Sequence, residues 1–172
     1  VTADRVGDTR DITLRRCVLR YGYLPKDISW TQGLWSKRII GLTLDQNVFH
    51  HNGFEPRVRK AERIGYNHHA YLVDDLDVRI VGNIFARESF LALKIRSDGA
   101  DKSRNITIRD NLFVDSLLPI KFSSRNQVAV TDVITFRDVT VSGNVFTKIG
   151  GLLEGTMMGM AVKLEQVGQG VI

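Results

Sequence analysis

The stretch NITIRDNLF, residues 105–113, defines a unit that the chain repeats. It aligns without gaps with GLTLDQNVF from Gly41, DVRIVGNIF from Asp77 and DVTVSGNVF from Asp138. Each copy has an alternating strand, two polar or glycine residues, and then Asn-aliphatic-Phe. A degenerate fifth copy, DITLRRCVL, has Cys17 at the asparagine position and Leu19 at the phenylalanine position. Such internal repetition is typical of solenoid proteins.

A further apolar alternation follows each repeat after a loop of variable length. These segments are HAYLV from His69, LALKI from Leu91, PIKFS from Pro119 and AVKLE from Ala161, with residues 33–35 as a weaker candidate in the first copy. Three short strands per repeat, without a convincing helical period, predict an all-β parallel β-helix. A flat parallel sheet would need helical crossovers, for which the repeats leave no room.

About five coils are visible, without an obvious cap at either end. The chain also begins at Val1 without a methionine, which suggests a processed or excised piece. Because a solenoid needs several coils and capped ends, we expect residues 1–172 to form a single β-helix domain or a fragment of one. The remaining coils would then come from a longer protein or from a companion chain.

The alternation also predicts what lies inside the coils. Aliphatic pairs such as Ile106 and Ile108 should stack inward. The phenylalanines should form an aromatic stack that contains Phe49, Phe85, Phe113 and Phe146. Asparagine tolerates left-handed backbone and can hydrogen-bond to neighbouring coils, so a common bend should contain Asn47, Asn83, Asn111 and Asn144. Cys17 is predicted to be a small buried hydrophobe, and as the sole cysteine it excludes an internal disulfide.

A formal net charge of +5 favours an acidic partner. That partner could be a polyanionic glycan, a nucleic acid or a membrane surface. Nucleic acid is disfavoured because the aromatic platforms on which bases stack are missing. No apolar run approaches the roughly 20 residues that span a bilayer, so membrane insertion is not expected.

One outward column of the third strands carries repeated positive charge. Alignment of these strands places Tyr71, Lys94, Lys121 and Lys163 in register. Parallel coils stack about 4.8 Å apart, so the lysines would repel one another and a polyanionic ligand would relieve that repulsion. The alternative is an ordinary solvated face, on which lysine is a common residue.

All four histidines fall within one coil. His50 and His51 follow the strand that ends at Phe49, and Asn67, His68 and His69 lead into the third strand of the same repeat. Histidine serves as a base, an acid or a metal ligand near neutral pH. The alternative is a polar loop whose hydrogen bonds tie the coils together.

The segments HHNGF (from His50), NHHAYL (from Asn67), NIFARESFLALKIRSDG (from Asn83) and NLFVDSLLPIKFSS (from Asn111) resemble the right-handed parallel β-helix repeats of the pectate-lyase-like superfamily. The resemblance covers roughly residues 10–150. That superfamily contains polysaccharide lyases, uronate epimerases and tailspike-type depolymerases. The resemblance implies a right-handed coil and an acidic sugar bound along one sheet. It also implies removal of the C5 proton of a uronate after its carboxylate has been neutralised by basic residues or calcium.

These expectations assign roles to particular residues. Lys94, His68 or His69 would be the base, Arg96 the carboxylate clamp, and Tyr71 an acid or base towards the leaving oxygen. Further substrate contacts would come from Lys121, Lys163, His50, His51 and Asn67. The expected protein is a secreted or cell-envelope lyase or C5-epimerase acting on an acidic, uronate-containing polysaccharide. The alternatives are a non-catalytic glycan-binding adhesin or tail-fibre module, and a hydrolytic depolymerase.

Acidic residues give weaker indications. Calcium is possible, with oxygen ligands available from Asp74, Asp75, Asp77, Asp98 and Asp101, but no calcium-loop spacing occurs and no metal site is assigned. Glycoside hydrolysis needs two facing carboxylates. Asp98 or Glu88 could contribute, yet no paired column of acids is seen.

Overall fold

The computed structural model describes residues 9–22, 31–53, 67–88, 90–99, 102–124, 135–153 and 156–165. The first nine strands are β1 (Thr9–Arg15), β2 (Val18–Arg20), β3 (Gln32–Lys37), β4 (Ile39–Asp45), β5 (Val48–His50), β6 (His68–Val73), β7 (Leu76–Val81), β8 (Ile84–Ala86) and β9 (Leu91–Ser97). The remaining strands are β10 (Ser103–Arg109), β11 (Leu112–Ser116), β12 (Leu118–Ser124), β13 (Phe136–Ser142), β14 (Val145–Ile149), β15 (Gly151–Leu153), β16 (Thr156–Met158) and β17 (Val162–Glu165). Within these ranges the chain forms no helix, and so none that could cross a membrane.

The chain visits three parallel five-stranded sheets in turn. Sheet 1 has the order β1-β4-β7-β10-β13, sheet 2 the order β2-β5-β8-β11-β14, and sheet 3 the order β3-β6-β9-β12-β17. This architecture is all-β and consistent with a β-helix-like solenoid, as the repeats predict. An antiparallel hairpin of β15 and β16 interrupts the last repeat and was not predicted.

Connections between the sheets differ in length. Two residues always join sheet 1 to sheet 2, as at Asn111 and the residue before it. The passage from sheet 2 to sheet 3 ranges from the single residue Leu117 to residues 51–67. The passage from sheet 3 to sheet 1 ranges from Arg38 alone to residues 125–135. Variable spacing between the repeats therefore comes from the two borders of sheet 3.

The predicted core is confirmed in the central coils, whereas Val141, Val162 and Leu164 of the last coil are exposed instead of buried. Ile106 and Ile108 are fully buried and pair in register with aliphatic residues of the neighbouring strands. The four phenylalanine rings form a continuous stack, with successive centroids 4.9, 5.0 and 5.1 Å apart. Phe49, Phe85 and Phe113 are fully buried, whereas Phe146 at the end of the stack is partly exposed.

The predicted asparagine ladder is also confirmed. Asn83 Nδ2 donates to Asn111 Oδ1 at 3.0 Å and to the Leu44 carbonyl at 2.8 Å. Its Oδ1 accepts from the backbone N–H and Nδ2 of Asn47, at 2.9 and 3.0 Å. The backbone expectation was wrong in one respect, because the left-handed residue is the one before each asparagine. At Gln46, for example, φ is 56°.

Cys17 corrects another expectation, since its side chain is exposed. It lies between β1 and β2, which are the end strands of sheets 1 and 2 among the strands that the structure describes. Its backbone N–H still donates to Asn47 Oδ1 at 2.9 Å, so Cys17 keeps the ladder position without extending the ladder. The same position is buried in the interior coils, where Asn47, Asn83 and Asn111 occupy it.

Truncation of a central ring should be costly. Phe85→Ala and Phe113→Ala should each lower the free energy of unfolding by about 3 to 5 kcal/mol, because each leaves a cavity between two neighbouring rings. Phe146→Ala is the matched control and should cost less, since that ring is already partly exposed. Urea unfolding of the three variants measures the difference, and an equal loss at all three positions would contradict the stack.

The ladder makes a separate prediction. Asn83→Ala removes the acceptor of two buried Asn47 donors and the donor to Leu44, and should cost about 3 kcal/mol of unfolding free energy. Asn144→Ala should cost clearly less, because Asn144 is only partly buried and water can replace its amide. Denaturant melts compare the two variants, and loss of the same size in both would show that the ladder contributes no more inside the stack than at its end.

Candidate functional site

Sheet 3 aligns the predicted charged residues on its outer surface. Tyr71 pairs with Lys94, Lys94 with Lys121, and Lys121 with Lys163 in the parallel register. The register also pairs Trp35 of β3 with Tyr71, so Trp35 joins the same row although it was not predicted there. The weak alternation of residues 33–35 was the signal for it. We call these five residues the outer column: Trp35, Tyr71, Lys94, Lys121 and Lys163.

Tyr71 is the centre of a close group of side chains. Lys94 Nζ lies 4.7 Å from the centroid of the Tyr71 ring, and the Arg96 guanidinium carbon lies 5.4 Å from it. The His68 ring meets the Tyr71 ring edge to face at 5.3 Å. Cations over an aromatic face are attracted by its quadrupole, so the ring holds both charges in place. The structure therefore brings together four of the five predicted catalytic residues.

Arg96 is already engaged by a carboxylate. Its Nη2 donates to Asp98 Oδ2 at 2.9 Å, and its Nε lies 2.7 Å from Asp98 Oδ1 but makes no hydrogen bond to it. Arg96 therefore already holds one carboxylate through a charge-assisted hydrogen bond. A substrate carboxylate at Arg96 would therefore have to displace Asp98, which leaves the lysines of the outer column as the more accessible anion contacts.

His68 is buried beside the outer column. Only 1% of its surface is exposed, and its Nδ1 has no hydrogen-bond partner. Burial, with a smaller effect from the positive charge of Lys94, lowers the pKa of His68 to about 3. The imidazole is therefore neutral at physiological pH, but solvent and a polymer on the surface do not reach it.

His69 lies in the interior instead of on the outer column. Its Nδ1 accepts from Asn52 Nδ2 at 3.0 Å, and its Nε2 donates to the Ala86 carbonyl at 3.0 Å. Burial lowers the pKa of His69 to about 3, so its 3.9 Å contact with Glu88 is not an ion pair. With both nitrogens engaged, His69 ties adjacent coils together, which is the alternative that the sequence left open.

His50, His51 and Asn67, which were predicted to bind substrate, contact residues outside the outer column. The His50 and His51 side chains contact each other, with their Nδ1 atoms 2.9 Å apart, and both pack against Tyr21. Asn67 is buried, and its amide accepts from the Thr31 N–H at 3.0 Å and donates to the Gly53 carbonyl at 3.1 Å. These contacts give Asn67 a role in fixing the connections around it.

Carboxylates cluster where sheet 3 passes into sheet 1. Asp74 Oδ1 accepts from the Asp98 N–H at 2.7 Å, and Asp75 accepts from the Ile39 N–H at 2.8 Å and from the Ser36 hydroxyl. Burial raises the pKa of Asp75 to about 6. No group of three or more metal-ligating side chains occurs in the described part of the chain, and Asp101 lies outside that part.

Glu88 belongs to the interior as well. It is fully buried and accepts from the Leu117 N–H at 2.7 Å and from the Ser116 hydroxyl. Asp98, the other acid considered for hydrolysis, is paired with Arg96. The two carboxylates therefore do not face each other as the catalytic acids of a glycosidase do.

Comparisons with family models, with curated proteins and with solved structures found no match to this chain. The outer column offers an exposed ring, a row of cations and a lysine held over an aromatic face. Such a surface can bind anionic groups and can stabilise negative charge that develops on a bound molecule.

The buried titratable groups predict a characteristic pH dependence of stability. The folded state keeps His68 and His69 neutral down to about pH 3, whereas the unfolded chain protonates them below about pH 6.5. Each histidine should therefore lower the free energy of unfolding by about 1.4 kcal/mol per pH unit on acidification. Asp75 acts in the opposite sense between about pH 4 and 6, since its folded pKa is raised and protonation stabilises the fold.

Two variants separate these contributions. His68→Phe should flatten the dependence between about pH 4 and 6, because one histidine then opposes one aspartate. Asp75→Asn should make it steeper, because the opposing group is gone. Urea unfolding at several pH values measures the slope independently of any uniform loss of stability. Slopes that match the parent in both variants would contradict the assignment.

Proposed function

We propose that the protein is a carbohydrate-active, right-handed β-helix protein of the pectate-lyase-like kind. It binds an acidic, uronate-containing polysaccharide along the outer column of sheet 3. Its activity is that of a lyase or C5-epimerase, which removes the proton α to the uronate carboxylate. The observation that carries the proposal is the parallel register of Lys94, Lys121 and Lys163.

A row of like charges at the strand spacing favours a polymeric anion. Neighbouring strands lie about 4.8 Å apart, a distance at which two ammonium groups repel appreciably. The partly exposed positions of Lys94, Lys121 and Lys163 leave room for ligand anions to approach them. A polymer with regularly spaced carboxylates would neutralise several lysines at once, whereas a small anion would neutralise one.

Proton abstraction next to a carboxylate needs a base and a partner for the charge that develops. In the proposed reaction the neutral amine form of Lys94 takes the C5 proton and becomes an ammonium ion, and Lys121 and Lys163 stabilise the carboxylate as it becomes enolate-like. For a lyase, the carbanion then expels the C4 oxygen with formation of the C4–C5 double bond. The Lys94 ammonium returns its proton to that leaving oxygen. For an epimerase, a water molecule instead donates a proton to C5 from the other face of the ring, and the Lys94 ammonium releases its proton to solvent.

Tyr71 and His68 support this lysine in the proposed mechanism. Tyr71 is only 6% exposed and lies beneath Lys94, so a positioning role suits it better than direct proton transfer to the substrate. The neutral, buried His68 adds no charge next to Lys94. Both residues thereby help keep the Lys94 amine at the surface of sheet 3.

The deciding assay incubates the protein with uronate polymers and with a neutral polysaccharide. Ultraviolet absorbance from unsaturated products supports the lyase, and inversion at C5 without cleavage supports the epimerase. New reducing ends without absorbance would replace both with a hydrolase, and binding without any product would indicate an adhesin or tail-fibre module. Failure to bind any acidic polymer would overturn the proposal.

Charge removal gives a quantitative prediction. Lys121→Ala should weaken binding of the acidic polymer by about 1 kcal/mol, and Lys94→Ala should also lower turnover at least about a hundredfold. Added salt should weaken binding by the parent more than binding by either variant. Arg79→Ala is the matched control, because it removes one positive charge from an exposed position of sheet 1. Equal effects of Arg79→Ala and Lys121→Ala would show that net charge, and not the column, is responsible.

A further inference from the structure

The outer column has an aromatic end and a cationic end. Trp35 and Tyr71 lie on the first two strands of sheet 3, and Lys94, Lys121 and Lys163 follow on the next three. Trp35 is a large aromatic residue, and 40% of its surface is exposed. An exposed large ring in register with a row of cations is more specific than a scattered surface aromatic.

The two rings differ in what they can offer a ligand. Tyr71 is 6% exposed and has both Lys94 and Arg96 near its ring. Trp35 keeps a substantial part of its surface open, about two strand spacings, or roughly 10 Å, from Lys94 along the column. A ligand that crosses the strands would therefore meet an open indole and then a series of ammonium groups.

Sugar rings suit such a surface because they present apolar C–H faces as well as charged substituents. We infer that Trp35 forms a sugar-stacking subsite, which binds the unit of an acidic polysaccharide next to the units bound by Lys94 and Lys121. This inference rests on the proposed function and extends it. It orients the polymer along the stacking direction of the coils, perpendicular to the strands.

A single-stranded nucleic acid would need a different arrangement. Sequence-tolerant binding of bases relies on successive aromatic rings, each of which stacks on one base. Among the described residues of the outer column, Trp35 is the one exposed aromatic residue, since Tyr71 is buried. One open ring beside several cations matches a chain of mostly charged sugars better than a chain of stacked bases.

The experiment uses the two tryptophans of the chain, Trp30 and Trp35. In a Trp30→Phe background, Trp35 is the sole tryptophan and its emission reports on the subsite directly. Titration with an acidic oligosaccharide should change this emission at the same concentrations at which calorimetry detects binding. A single-stranded oligonucleotide of comparable length and charge is titrated in parallel.

Substitutions then separate stacking from charge. Trp35→Ala should weaken polysaccharide binding about fivefold to tenfold and leave its salt dependence unchanged, because no charge is removed. Trp35→Phe should retain most of the affinity, since a flat apolar ring remains. Tyr21→Ala removes an aromatic residue that is 47% exposed and lies off the column, and it should have no effect. Thermal melts establish that each variant is folded.

The outcomes distinguish this inference from the proposed function. If the parent binds the acidic polymer in a salt-dependent manner but Trp35→Ala binds equally well and the emission does not change, the subsite is refuted and the proposed function stands. If no acidic polysaccharide binds, both fail. Tighter binding of the oligonucleotide, with a change in Trp35 emission, would assign the column to a nucleic acid and would also overturn the inference.

Discussion

The hydrogen-bonded ladder of asparagines sets the register on which every other column depends. Each interior amide accepts from one neighbouring coil and donates to both, so Asn83 binds Asn47 and Leu44 on one side and Asn111 on the other. A one-residue slip between strands would exchange the inner and outer side chains. By opposing that slip, the ladder keeps the phenylalanines inside and the lysines outside. The outer column is thus a consequence of a buried constraint.

The asparagine and phenylalanine repeat and the candidate site lie in different parts of the coil, although the inner face of sheet 3 also contributes to the core. Sheets 1 and 2 carry the repeated aliphatic, asparagine and phenylalanine positions, which satisfy both burial and hydrogen bonding. Sheet 3 and its borders carry features that packing alone does not require, such as the buried His68, whose Nδ1 lacks a hydrogen bond, and Asp75 with its raised pKa. Buried titratable groups with shifted pKa values are more frequent at functional sites than elsewhere, which favours sheet 3 as the location of a functional site.

The features that could be predicted from the sequence were those that recur in every repeat. The ladder and the stack could be predicted because the same residue types recur at the same positions, and the lysine register followed from the third strands. Trp35 was missed because the alternation around it is weak. Alternation predicts that His68 and His69 face opposite sides, but the bend at the sheet border determines which ring enters the core. The exposure of Cys17 could not be predicted either, since it depends on the position of its coil at the end of the described sheets.

The constant two-residue passage from sheet 1 to sheet 2 contrasts with the variable connections at both borders of sheet 3. Insertions and deletions at those borders leave the ladder untouched, as the difference between Leu117 alone and residues 51–67 illustrates. Long surface insertions cost little closure entropy, so they are thermodynamically affordable. The architecture therefore combines a constant geometry between sheets 1 and 2 with connections of variable length around sheet 3. New ligand preferences could arise around sheet 3 by changes in connection length, without redesign of the interior.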